Sequence, residues 1–210
     1  MQSANNQIIK RIKKSKRGKI FFLKDFAFLG TGNAIRHSLS RLCQDGMLIR
    51  LSAGIYLYPK ISKLIGTIYP SIEDIAKEIA KSERARLIPT GLYALNKLGL
   101  STQVPMRVVF LTDGTPRNIK IGGKTSIVFK KTIPKYLALK GKITTLVIFA
   151  LKEIGKNQVQ PEELDKIKSF LMHETKENIL HDSLIAPEWI AEIILKFTEN
   201  EQFNQTVEQR

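Results

Sequence analysis

The chain has 210 residues, 43% of them hydrophobic, and carries 34 basic residues against 19 acidic ones with a single cysteine, Cys43. That length buries a core without cross-links, one cysteine forms no internal disulfide, and C-x-x-C zinc spacing is absent. No apolar run approaches the roughly 20 residues of a bilayer span, and the basic start lacks a signal-peptide hydrophobic stretch, so a soluble, cytoplasmic protein is expected.

Charge is unevenly placed. Residues 1–63 hold thirteen bases and two acids, residues 64–150 fourteen and five, and residues 151–210 seven and twelve. A basic first segment suits a polyanion, since duplex DNA presents about one phosphate charge per 1.7 Å of axis and docking cations release condensed counterions. An acidic last segment has a different task.

In chain order, Ser3 to Lys14 places Ile8, Ile9 and Ile12 on one stripe among lysines, which predicts an amphipathic helix. Gly18 breaks it. Ile20 to Phe22 suits a short strand, and Leu23 to Leu29 a short helix with Phe26 and Leu29 facing inward. After the turn Gly30-Thr31-Gly32 comes a helix from Asn33 to Asp45, capped by Thr31 or Asn33 and stopped at Gly46.

At about 100° per residue, Ile35, Leu39, Leu42 and Cys43 share one side of that helix. Asn33, Arg36, His37, Ser40, Arg41 and Gln44 fill the opposite arc, which contains no acid. Arg bonds guanine bidentately, Asn and Gln bond adenine, and Ser or His serve bases or phosphates. An ordinary solvated helix face is the competing explanation, but such faces mix Glu with Lys. Cys43 belongs with the apolar stripe as a small hydrophobe.

Met47 to Leu51 and Ile55 to Tyr58 alternate in hydropathy across Ser52-Ala53-Gly54, which predicts a hairpin placed as a wing. Arg50 and Ser52 then lie within reach of a phosphate or the minor groove, while Tyr56 and Tyr58 are expected to pack. The basic run Lys10, Arg11, Lys13, Lys14, Lys16, Arg17 and Lys19, together with Thr31, is suited to gripping the sugar-phosphate backbone without specifying sequence.

These features resemble the AbiE-type antitoxin and winged-helix regulator family of bacteria. The likeness rests on the basic first helix, Leu39-Ser-Arg-Leu42, Gly46-Met-Leu-Ile-Arg50, the wing Ala53-Gly-Ile-Tyr-Leu-Tyr58, and Pro89-Thr-Gly-Leu-Tyr-Ala-Leu95 in a following α/β domain. The resemblance implies an autorepressor of a toxin-antitoxin (abortive infection) operon. Its winged helix would bind repeats in its own promoter, and its second domain would counteract a nucleotidyltransferase-like toxin.

Pro59 to Pro70, with two prolines and a glycine, is expected to be a linker. A helix from Ile72 to Leu87 capped by Ser71 follows, then another from Thr90 to Leu98. Three strands are predicted at Met106 to Thr112, Arg117 to Ile121 and Thr125 to Lys130, with Asp113-Gly114 and Gly122-Gly123 as hairpin turns. Helical periodicity returns at Thr144 to Ile154, Pro161 to Met172, Thr175 to Leu184 and Pro187 to Phe197, and Thr198 to Arg210 is expected to fray.

The expected fold is therefore α+β. An N-terminal winged helix-turn-helix over residues 1–62 precedes a larger α/β domain over residues 63–210, with a small antiparallel sheet and a C-terminal helical segment. No catalytic arrangement emerges. His173 and His181 lack H-E-x-x-H spacing, Gly30-Thr-Gly32 completes no phosphate-binding motif, and Gly122-Gly123-Lys124-Thr125 joins strands rather than opening a helix. No cofactor, metal or membrane is expected, and the sequence does not fix the oligomer. Three functions stay open: a DNA-binding repressor with double-stranded DNA as partner, an antitoxin that chiefly sequesters a toxin, and a nucleic-acid-modifying enzyme.

Overall fold

The structure, a computed structural model, describes residues 4–123 and 125–207, the last ten of these as backbone only. Ser3, expected in the first helix, and Lys124, in the Gly-Gly-Lys-Thr turn, lie outside the described residues, as do the side chains from Thr198 onward. The chain is a mixture of helices and small sheets and divides into two compact units, residues 1–84 with 118–127, and residues 85–117 with 128–210. Sequence reasoning draws a boundary at residue 62; the first unit runs on to Arg84.

In the first unit, helix α1 (Ala4–Lys13) is followed by strand β1 (Ile20–Phe22), a 3₁₀ helix (Leu23–Leu29) and helix α2 (Gly32–Gln44). Strands β2 (Ile49–Ser52) and β3 (Ile55–Leu57) come next, and β3 sits between the other two in an antiparallel sheet of order β1-β3-β2. One core joins these parts: Ile8 and Ile12 of α1, Phe21, Phe26, Ile35, Leu39 and Leu42 of α2, Leu48, Tyr56 and Tyr58. Phe21 and Phe26 meet at 5.4 Å between ring centroids. Leu29, expected to face inward, is half-buried and packs against that core.

The expected linker is itself structured. Strands β4 (Lys60–Ser62) and β5 (Gly66–Ile68) pair antiparallel, with Lys60 opposite Ile68 and Ser62 opposite Gly66. Helix α3 (Ile72–Glu83) follows, its Ser71 cap accepting from the Asp74 amide at 3.0 Å. It ends earlier than Leu87, because Arg84 takes a left-handed conformation that no glycine signals.

The second unit opens on strand β6 (Leu87–Pro89), whose first residue the sequence places at the end of the preceding helix, and α4 (Leu92–Lys97). Strands β7 (Arg107–Thr112), β8 (Arg117–Ile121) and β9 (Thr125–Lys131) complete a sheet of order β6-β7-β9-β8, although residues 118–127, which hold most of β8 and the start of β9, group with the first unit. Asp113-Gly114 is therefore not a hairpin turn, since β9 lies between β7 and β8. Arg86 explains Asp113 instead: its amide and guanidinium donate to the carboxylate at 2.7 and 2.9 Å.

Helices α5 (Pro134–Leu137), α6 (Lys142–Ile154), α7 (Pro161–Leu171), α8 (Lys176–Ser183) and α9 (Glu188–Val207) follow. Apolar on most of its surface, α6 packs against α4, α7, α8 and α9, with Val147, Ile148, Ala150 and Leu151 buried. Two carboxylates hold its amino terminus, where backbone amides lack helical partners. Asp182, fully buried, accepts from the Lys140 and Gly141 amides at 2.9 and 2.8 Å, and Glu174 accepts from the Ile143 amide at 2.9 Å. A Cβ at Gly141 would lie 2.6 Å from Thr144 Oγ1 and 2.8 Å from Glu174 Oε2, so a side chain there requires those two groups to shift.

Burial pushes the Glu174 carboxyl up, but hydrogen bonds from the Asn178 side chain and the Ile143, Thr175 and Thr144 amides outweigh it and hold the group below its ordinary 4.5. A carboxyl titrating lower in the folded chain stabilises it above the unfolded value and loses that contribution as pH falls through the folded one. Glu174→Gln is thus expected to melt below the native chain at neutral pH, with the gap narrowing as the medium is acidified below about 4.5. Thermal melts across pH measure this.

Candidate nucleic-acid interface

Helix α2 is fixed by three local choices. Thr31 caps it, its hydroxyl accepting from the Ala34 amide at a long 3.4 Å, and Asp45 closes it. Ile35, Leu39 and Leu42 are buried beneath it. Burying that stripe rotates the opposite arc to solvent: Asn33, Arg36, His37, Ser40, Arg41 and Gln44 are all exposed. One pair is engaged within the arc, as Arg36 donates to Asn33 Oδ1 at 3.2 Å.

The basic run surrounds the first helix and the loop after it. Lys10, Arg11, Lys13, Lys14, Lys16, Arg17 and Lys19 are exposed, but not all are loose. Arg17 lies 4.9 Å over the Tyr58 ring and donates to the Pro59 carbonyl at 3.0 Å. Lys19 stands 5.1 Å over Phe21, and Arg11 5.1 Å over Phe28. Cation–π contacts of this kind fix the stems while leaving charge near solvent. These anchoring roles were not visible in the sequence, because the aromatic partners of Arg17 and Arg11 are far away along the chain.

Only two acids occur before residue 64. Asp25 is turned to the backbone, accepting from the Phe22 amide at 2.8 Å, and Asp45 ends α2. The arc therefore carries no carboxylate of its own.

The β2–β3 hairpin is tighter than expected. Ser52 pairs with Ile55, so it belongs to the strand and is half-buried, and the turn is Ala53-Gly54 alone. The Gly54 carbonyl accepts from the Leu23 amide at 2.9 Å, which ties that turn to the 3₁₀ helix. Arg50 is exposed and stands opposite Tyr56. Burial pushes the Tyr56 hydroxyl up, with Arg50 and Arg36 pulling it back, so both arginines act on one tyrosine. Tyr56 and Tyr58 are buried, and Cys43 packs at the edge of the core with its thiol pushed up by burial against the pull of Arg50.

The two C-terminal histidines have ordinary partners: His173 Nδ1 lies 2.9 Å from the Ser169 carbonyl, and His181 Nδ1 lies 2.9 Å from Asp182. Among the described residues no helix is long and apolar enough to cross a membrane.

The chain belongs to a family of unknown function (DUF6088), whose profile matches residues 7–179. No curated protein matches it. Among solved structures it is similar to the RV2827C protein from Mycobacterium tuberculosis, at 12% identity and a TM-score of 0.47, over 92% of this chain and 81% of that one.

The cap and the arc respond differently to substitution. Thr31→Ala should cost about 1 kcal/mol of stability by removing the side-chain acceptor, whereas Arg41→Ala, on an exposed position, should stay within about 0.5 kcal/mol. Urea unfolding of the full chain distinguishes the two.

Proposed function

We propose that this DUF6088 protein is a DNA-binding transcriptional regulator whose first unit docks as a winged helix-turn-helix, with α2 in the major groove. The observation that carries the reading is the exposed, acid-free arc of α2 opposite a fully buried apolar stripe. The order helix, strand, short helix, helix, hairpin, with β3 central in the sheet, supports it further. Arg36 and Arg41 are assigned to guanine edges, Asn33 and Gln44 to adenine, and His37 and Ser40 to bases or adjoining phosphates. Lys10, Lys13, Lys14, Lys16, Arg17, Lys19, Thr31, Arg50 and Ser52 are assigned to the sugar-phosphate rail. Arg17 and Ser52 contribute least, because each is already committed within the fold.

The AbiE resemblance and the acid excess of residues 151–210 support a second role, in which the second unit opposes a nucleotidyltransferase-like toxin encoded alongside. Growth rescue on co-expression with the neighbouring reading frame tests that role. Operator binding without rescue leaves a stand-alone repressor.

Binding to the chain's own upstream DNA and to an unrelated duplex, measured by fluorescence anisotropy across salt, tests the DNA reading. Arg36→Ala and Arg41→Ala should each cost about 1–3 kcal/mol on the preferred duplex and relax sequence preference. Lys13→Ala or Lys14→Ala should weaken every duplex alike and reduce the salt slope by about one. Equal effects of both sets on all sequences would contradict the assignment.

A further inference from the structure

The stretch expected to be a linker presents an unusual tip. Strands β4 and β5 pair up to Ser62 opposite Gly66, leaving Lys63, Leu64 and Ile65 as the loop. Leu64 is 95% exposed, Ile65 75% and, on β4, Ile61 60%. Turn tips ordinarily carry Gly, Asn, Asp, Pro or Ser, because apolar side chains gain nothing there. Burial of a Leu or Ile side chain is favourable, so two of them held out in water point to a surface that covers them.

The tip carries hydrogen bonds of its own. The Ser62 hydroxyl accepts from the Leu64 and Ile65 amides at 3.3 and 3.5 Å, and Gly66 supplies the positive φ of 74° that closes the loop. Its root is the basic stretch: Arg17 stacks on Tyr58 and bonds the Pro59 carbonyl, and the Gly18 amide donates to the Tyr58 carbonyl at 2.6 Å. Lys60 and Lys63 flank the apolar residues, and no acid occurs between Asp45 and Glu73. By contrast, the β2–β3 turn is tied down at Leu23.

We infer that the β4–β5 hairpin is a second DNA-binding element, in which Leu64 and Ile65 wedge between base pairs from the minor-groove side while Lys60 and Lys63 hold the flanking phosphates. This rests on the DNA-binding reading and extends it. Apolar side chains on a cationic support suit that occupant. They partly unstack a base step and kink the duplex, and the exposed lysines recover phosphate contacts along the bend. Pyrimidine–purine steps, TA above all, deform most readily, so the wedge adds a preference that the side chains of α2 do not read.

The test uses the full chain and a short A·T-rich duplex with 2-aminopurine at a TA step and a dye at each end. The native chain is expected to bind, raise the 2-aminopurine fluorescence and bring the dyes closer. A Leu64→Ser/Ile65→Ser double variant should bind about tenfold more weakly, produce neither signal, and keep the native salt slope, since no cation is removed. Its melting temperature should be unchanged, because both side chains are exposed. Leu64→Met, which keeps an apolar tip, should retain both signals.

Native binding without unstacking or bending overturns the wedge while leaving α2 as a reader, as does a double variant that behaves like the native chain. Loss of binding to phosphatidylserine vesicles in the double variant, with DNA signals intact, overturns it in favour of a lipid surface. A native chain that binds no duplex even at low salt overturns the DNA reading and the wedge together.

Discussion

Burial of one stripe of α2 against α1, the 3₁₀ helix and the small sheet governs what the first unit presents to solvent. Ile35, Leu39 and Leu42 share a core with Ile8, Ile12, Phe21, Phe26, Leu48 and Tyr56. Side chains of that size are worth about 1.5–3 kcal/mol each on full burial, which leaves α2 little freedom to rotate about its axis. The direction of Arg36, Ser40 and Arg41 is therefore a consequence of apolar packing on the other side of the helix. Their charge and hydrogen-bonding chemistry then act from a rigid support, as a reader of base edges requires.

Electrostatics adds to this by subtraction. A cationic surface attracts phosphate only where its own carboxylates do not neutralise it, and of the two acids in the first 63 residues Asp25 is bonded to the Phe22 amide while Asp45 lies just past the last turn of α2. In the second unit acids are spent differently. Asp182 holds the two amides just before α6, a helix whose buried faces organise the surrounding four, and Glu174 holds the Ile143 amide in its first turn. The excess of acids over bases after residue 150 thus includes groups with interior work.

The helix that carries the candidate site was legible because thirteen residues of apolar period, a Thr cap and a terminal glycine all agreed. Lys60–Ser62 and Gly66–Ile68 offer no such agreement: each mixes polar residues or glycine with a single isoleucine, unlike the equally short but wholly apolar Ile20–Phe22, and the prolines at 59 and 70 read as a connector. Leu87, the first residue of the Leu87–Pro89 strand, reads as the end of the preceding helix, since Arg84 enters its left-handed conformation without a glycine to announce it. The placement of β9 between β7 and β8 is a long-range choice that local turn residues do not encode. Within the site, the exposure of the arc followed from periodicity, but the Arg17 bond to Pro59 and the tethering of Gly54 to Leu23 needed the fold.

Titration of the isotope-labelled full chain with a duplex from its own upstream region, followed by amide and arginine side-chain chemical shifts, is the most direct examination of where nucleic acid sits. Docking through α2 predicts that the largest changes fall on residues 33–44 and on the Arg36 and Arg41 guanidinium signals, and that they saturate together. Shifts confined to residues 142–197, or no shifts at low salt, would contradict it.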